Sequence, residues 1–173
     1  MDNKVRLFFA LWPDKKVRQS IINKSKPLLK GVQKKIPAHN LHITLAFIGN
    51  VEKSKLDCYR QAAQEVHASG FGLRLDKAGC FSRAQILWLG CTTPAAELNW
   101  LVDSLNSALA VCGYQPGERR FTPHVSLTRK YRERVIPEFD TEIDWPVDSF
   151  CLVESCSTGR GVEYRVLDTW ALG

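Results

Sequence analysis

Apolar and polar positions alternate in short blocks that divide the chain into strands and helices. From Lys4 to Trp12 nearly every position is apolar, which predicts a strand buried on both faces and stopped by Pro13. Pro13-Asp14 then opens a helix expected to run to about Leu29, with Val17, Ile21, Ile22, Leu28 and Leu29 on its inner face. Leu41 to Gly49 reads as a second strand, and Lys53 to Ala68 as a second helix ended by Ser69-Gly70. Gly72 to Phe81 and Gln85 to Cys91 predict a hairpin turning at Ser82-Arg83-Ala84. A third helix from Pro94 to Val111 stops at Gly113, and Pro123 to Arg129 follows as a strand. Phe150 to Ser155 and Val162 to Trp170 are expected to pair around Thr158-Gly159-Arg160-Gly161.

No linker or low-complexity stretch interrupts this series, so residues 1–173 are expected to form one domain. An internal echo runs through it: strand, helix and an H-x-[ST] strand in the first half, then the same order in the second. Two pseudo-repeated lobes facing one another across a central cleft are the natural reading. The fold class is α+β, with two mainly antiparallel sheets and outer helices.

Composition changes this picture little, but charge placement does. The chain carries a net charge of +6, with 13 Lys/Arg against 4 Asp/Glu in residues 1–60 and 11 against 14 in the remainder. A basic first third suits a polyanion such as nucleic acid, which exchanges its condensed counterions for protein cations; a solvated lysine-rich surface gives the same count. No apolar run approaches the ~18 residues of a membrane span, and no signal peptide is read at the N-terminus, so a cytoplasmic protein without a membrane partner is expected. Cysteines 58, 80, 91, 112, 151 and 156 form no C-x-x-C pair and are expected to be reduced, mostly buried thiols.

The echo centres on His42-Ile43-Thr44-Leu45 and His124-Val125-Ser126-Leu127. Side chains two apart on a strand share a face, so each segment presents an imidazole beside a hydroxyl and packs its two apolar residues the other way. Two such pairs match the needs of cyclic phosphodiester hydrolysis. One imidazole takes a proton from water and the other returns one to the departing sugar oxygen, while hydroxyls hold charge on the phosphoryl oxygens. Composition alone yields both segments in about one sequence in two hundred, so chance is a poor explanation. Neither segment says which imidazole is acid and which is base.

The surrounding residues sharpen this. Asn40-Leu41-His42-Ile43-Thr44-Leu45-Ala46-Phe47-Ile48-Gly49 resembles the first H-x-[ST]-x motif of the LigT-like 2H phosphoesterases, and Arg119-Arg120-Phe121-Thr122-Pro123-His124-Val125-Ser126-Leu127 resembles the second. Arg6-Leu7-Phe8-Phe9-Ala10 and Gly159-Arg160-Gly161 with Tyr164 are similar to the bacterial RNA 2′,3′-cyclic phosphodiesterase branch. Ser126 stands where that branch usually has Thr, which keeps the hydroxyl. The resemblance covers nearly the whole chain. It implies a bilobal 2H fold, metal- and cofactor-free opening of RNA 2′,3′-cyclic phosphate ends to 2′-phosphates, and a related 2′–5′ RNA ligase activity. It also implies His42 as proton donor and His124 as proton acceptor.

Flanking candidates carry two readings each. Arg129 matches an arginine that the family uses near the phosphate, but lies an odd number of residues from Ser126, so a strand end or bulge must re-aim it. Phe9 and Trp12 stack on a base or belong to the core. Arg119 reaches RNA phosphates or caps its loop. Ser155 and Tyr164 line the cleft or only build the last hairpin. His39 and His67 lack the following hydroxyl and read as structural, and no H-x-x-x-H spacing offers a metal site. The expected partners are RNA ends or nucleoside 2′,3′-cyclic phosphates, met by a monomer. The competing readings are a 2H enzyme for another small cyclic phosphate and a nucleic-acid-binding module without catalysis.

Overall fold

The computed structural model describes residues 3–133, 135–159 and 161–173. The first strand, β1 (Lys4–Leu11), leads into α1 (Lys15–Lys24), whose first turn is capped by the Asp14 carboxylate accepting from the Val17 N–H at 2.7 Å. The helix stops at Lys24, short of the expected Leu29; a 3-10 turn at Pro27–Leu29 takes over because Pro27 lacks the N–H that another helical turn requires. Next come β2 (Ile43–Glu52), a 3-10 turn at Lys53–Lys55 and α2 (Leu56–Gln64).

The predicted strand from Gly72 to Phe81 is two strands, β3 (Phe71–Leu75) and β4 (Lys77–Phe81), which part at Asp76 and enter different sheets. β4 forms the expected hairpin with β5 (Ile86–Gly90), and α3 (Ala96–Leu109) follows. A 3-10 turn at Ala110–Cys112 then ends at Gly113, whose φ of +85° suits glycine. The remaining strands are β6 (His124–Arg129), β7 (Ile143–Val147), β8 (Ser149–Thr158) and β9 (Gly161–Ala171). β8 and β9 pair down to Thr158 and Gly161; Arg160, in the expected turn, lies outside the described residues.

Seven strands form one antiparallel sheet in the order β4-β5-β6-β2-β1-β8-β9, and β3 pairs with β7 in a second. The large sheet is two groups joined where β2 meets β6, at the single registered pair Ile43–Val125 among the described residues. That pair follows His42 and His124 directly, so the seam of the sheet coincides with the two motifs.

β1 sets the two faces. Leu7, Phe9 and Leu11 enter the main core with Ile21 of α1, Leu98, Leu101 and Leu105 of α3, Ile43 and Val125. Phe8 and Ala10 point the other way and pack with Cys151 and Val153, against which Trp12 and Tyr164 lean.

One expectation fails outright. Cys58 of α2 and Cys112 after α3 form a disulfide, with Cα atoms 5.9 Å apart across 54 residues of sequence. The packing of α2 on α3 brings them together, which spacing along the chain does not reveal. Cys80, Cys91, Cys151 and Cys156 are free, and Cys91 and Cys151 are buried.

Candidate active site

Both motifs are built alike. The His42 Nδ1–H donates to the Asn40 carbonyl at 2.6 Å, and the His124 Nδ1–H donates to the Thr122 carbonyl at 2.7 Å. A carbonyl only accepts, so each bond fixes the proton on Nδ1 and leaves Nε2 with the lone pair in the neutral ring. His42 Nε2 accepts from the Thr44 hydroxyl at 3.1 Å, which places the pair on one face as the spacing predicts.

A bulge then follows in each strand. Pairing jumps from Ala10–Thr44 to Phe9–Ala46 in one, and from Trp88–Ser126 to Leu87–Thr128 in the other, so Leu45 and Leu127 are the extra residues. Their burial is the same: Leu45-Ala46 and Leu127-Thr128 are buried as consecutive pairs, and the next residues, Phe47 and Arg129, are exposed. The bulge therefore shifts the strand's phase and returns Arg129 to the face of His124 and Ser126. In the other motif Phe47 takes the equivalent place, with the Arg6 guanidinium 5.0 Å above its ring.

The walls around the two imidazoles are aromatic. Trp12 stacks on His42 at 5.4 Å and 13°, Phe8 lies 4.9 Å away, and Tyr164 meets the ring edge-on at 5.2 Å. Ser155 pairs with Tyr164 across β8 and β9 and shares a β8 face with Cys151 and Val153, which places it beside this wall. His124 meets Phe81 edge-on at 4.8 Å and Trp88 at 6.2 Å. Arg119 is exposed and, with Arg83, Arg120, Phe81 and Thr122, lines a cavity of about 990 Å³ that opens beside His124.

Phe9 is not at the site. It is fully buried against Phe150 and Trp170, because β1 turns odd-numbered residues from Leu7 to Leu11 into the core. Its neighbour Phe8 occupies the position Phe9 was expected to hold. His67 donates from Nδ1 to the carbonyl of Glu65 at the end of α2, and His39 is exposed. Phe8, Phe81 and Trp88 were missed from sequence, although strand parity with Trp12 and with the predicted hairpin points to them.

Burial in this aromatic wall pushes the His42 pKa down to about 4; its bond to Asn40 works the other way, and the charges of His124 and Arg129 depress it further. Burial also lowers the pKa of His124. His42 thus lies within the electrostatic reach of both His124 and Arg129. It also ties stability to pH. Unfolded His42 binds a proton below its ordinary 6.5, while the folded ring resists one until about 4. Its contribution is therefore complete above 6.5 and lost as the pH falls towards 4, by on the order of 3 kcal/mol. Urea unfolding of wild type and His42→Gln at neutral and acidic pH checks this: the variant is expected to lose less stability on acidification.

Trp88 fits only because its neighbours are glycines. A Cβ at Gly79 would sit 2.2 Å from Trp88 Cζ2, and one at Gly90 would sit 2.7 Å from Cζ3. Gly79→Ala is expected to displace the indole behind His124 and to cost about 1–3 kcal/mol of stability, as overpacking does, with a fall in turnover. Denaturant unfolding with tryptophan fluorescence measures the first effect directly.

Among the described residues no helix is long and apolar enough to cross a membrane, and no group of three His, Cys, Asp or Glu is placed to hold a metal ion.

Two anchored imidazoles, each followed two residues on by a hydroxyl, thus stand at the seam of an antiparallel sheet, and the chain's relatives are phosphoesterases. The sequence pattern of the 2′-5′ RNA ligase superfamily matches residues 13–157, and the chain belongs to that family. It is similar to the RNA 2′,3′-cyclic phosphodiesterase of Escherichia coli K12, 33% identical over 174 residues covering 99% of each chain. It is also similar to that of Aeropyrum pernix, 28% identical with 88% and 90% covered. The crystal structure of E. coli LigT in apo form superposes with a TM-score of 0.87 at 34% identity, over 98% of both chains.

Proposed function

We propose that this protein hydrolyses 2′,3′-cyclic phosphate ends of RNA to 2′-phosphate ends by acid–base catalysis between His42 and His124. The observation that carries the reading is the matched anchoring of the two rings, each with Nδ1–H bound to a carbonyl and Nε2 left for the reaction. His124 Nε2 takes a proton from water as its oxygen attacks phosphorus. The P–O3′ bond breaks on the opposite side, and His42 Nε2–H gives its proton to O3′. The hydroxyls of Thr44 and Ser126 donate to the remaining phosphoryl oxygens, and Arg129 balances their charge.

Burial makes His42 resist protonation in the free protein. The bound phosphodiester anion offsets this by raising its pKa, so the acid forms with the complex. Trp12 stacks behind His42, and Phe8 and Tyr164 keep water from its other sides. Arg119, and Ser155 with Tyr164, contact the nucleotide as it enters. Both imidazoles belong to one chain, so one domain of two lobes, acting as a monomer, suffices.

Eight relatives of this chain, from the E. coli protein to that of Methanocaldococcus jannaschii, bear the name RNA 2′,3′-cyclic phosphodiesterase, which supports the substrate class. The test is turnover of a nucleoside 2′,3′-cyclic phosphate in EDTA, with the product isomer identified. The 2′-phosphate is the expected product; the 3′-phosphate, or no turnover of mononucleotide and RNA ends alike, contradicts the reading.

A further inference from the structure

We infer that the RNA chain leading to the reactive end lies in a second basic groove, between the segment after α1 and the loop after β6. Among the described residues this groove of about 780 Å³ is lined by Lys30, Lys34, Arg129, Lys130 and Arg132, against the single acid Glu133. All five cations are exposed, and among the described residues none of them forms an ion pair. Such a row attracts a polyanion, because each phosphate it neutralises releases counterions.

The groove is built rather than a chance of flexible surface. Ile36 N–H donates to the Leu127 carbonyl at 2.8 Å, Lys35 bridges to Thr128, and the Thr128 hydroxyl donates to the Lys34 carbonyl, so one wall is fastened to β6. In the other wall Tyr131 N–H donates to Gln85 at 2.9 Å and its hydroxyl donates to Val135 at 3.0 Å.

Arg129 lines this groove and shares a face of β6 with His124 and Ser126, and its charge reaches His42, so the groove opens onto the site. The direction of the chain rests on the proposed reaction. The ribose carrying O3′ lies on the side of His42, which protonates it, and the preceding nucleotides leave from the 5′ carbon of that ribose. The cavity beside His124, where Arg119 meets the terminal nucleotide, lies on the water side of the reaction and does not carry the preceding chain.

The test compares a short single-stranded RNA ending in a 2′,3′-cyclic phosphate with the corresponding mononucleotide, in wild type, Lys30→Gln/Lys34→Gln/Arg132→Gln and Arg83→Gln/Arg120→Gln. Loss of three phosphate contacts is expected to reduce the slope of log KM against log salt for the RNA by about 2, and the ratio of kcat/KM for RNA over mononucleotide at low salt at least about tenfold. The second variant is expected to keep the wild-type slope. An unchanged slope and ratio in the triple variant, or their loss in the Arg83/Arg120 variant instead, overturns the groove while mononucleotide turnover still upholds the reaction. If wild type turns over neither substrate, the reaction itself is contradicted and the groove falls with it.

Discussion

Replacing His42 or His124 by alanine is expected to lower kcat on a 2′,3′-cyclic phosphate at least about 100-fold, with KM changed far less, because general acid–base catalysis acts in the transition state. The double variant is expected to lose little more than either single one, since a proton relay fails when either end is missing. The two roles separate by leaving group. A diester that expels a weakly basic aryl oxide needs no proton at departure, so it is expected to recover most of the loss in His42→Ala and little of it in His124→Ala. Recovery in His124→Ala instead would exchange the acid and the base.

Thr44→Val is the second large effect. The hydroxyl bonds His42 Nε2 at 3.1 Å and is placed to donate to a phosphoryl oxygen once substrate arrives. Valine keeps the shape and removes the donor, and loss of one such donor is expected to lower kcat by about 100-fold. Ser126→Thr is expected to stay within a few-fold of wild type, because the hydroxyl is retained on the same face of β6. Steady-state kinetics on both variants, with urea unfolding to show that stability holds, checks the pair.

Much of the site was legible because its code is local. The His-x-hydroxyl spacing depends only on strand periodicity, and the need for a bulge to bring Arg129 round follows from parity alone; β6 carries that bulge at Leu127. Parity also separates the aromatic residues of the first strand. Trp12 and Phe9 lie three apart and cannot share a face of an unbulged strand, whereas Trp12 and Phe8 can, and β1 is unbulged.

What stayed hidden depends on distant partners. β7 contains Pro146, which argues against a strand, yet it pairs with β3 in a two-stranded sheet whose open edges tolerate a missing N–H. Asp76 divides β3 from β4 without any glycine or proline to announce the break. The Cys58–Cys112 bond exists only once α2 packs on α3. The depressed pKa of His42 likewise comes from Phe8, Trp12 and Tyr164, drawn from β1, the residue after it and β9.

The central claim is proton transfer by two imidazoles, and the pH dependence of kcat and kcat/KM in EDTA tests it most directly. A bell is expected for both. The alkaline limb, set by the acid, is expected at higher pH in kcat than in kcat/KM, because bound phosphate raises the pKa that burial holds down in the free protein. His124→Ala is expected to lose the acidic limb. A wild-type kcat that rises or falls monotonically from about pH 5 to about pH 9 would contradict the two-histidine scheme.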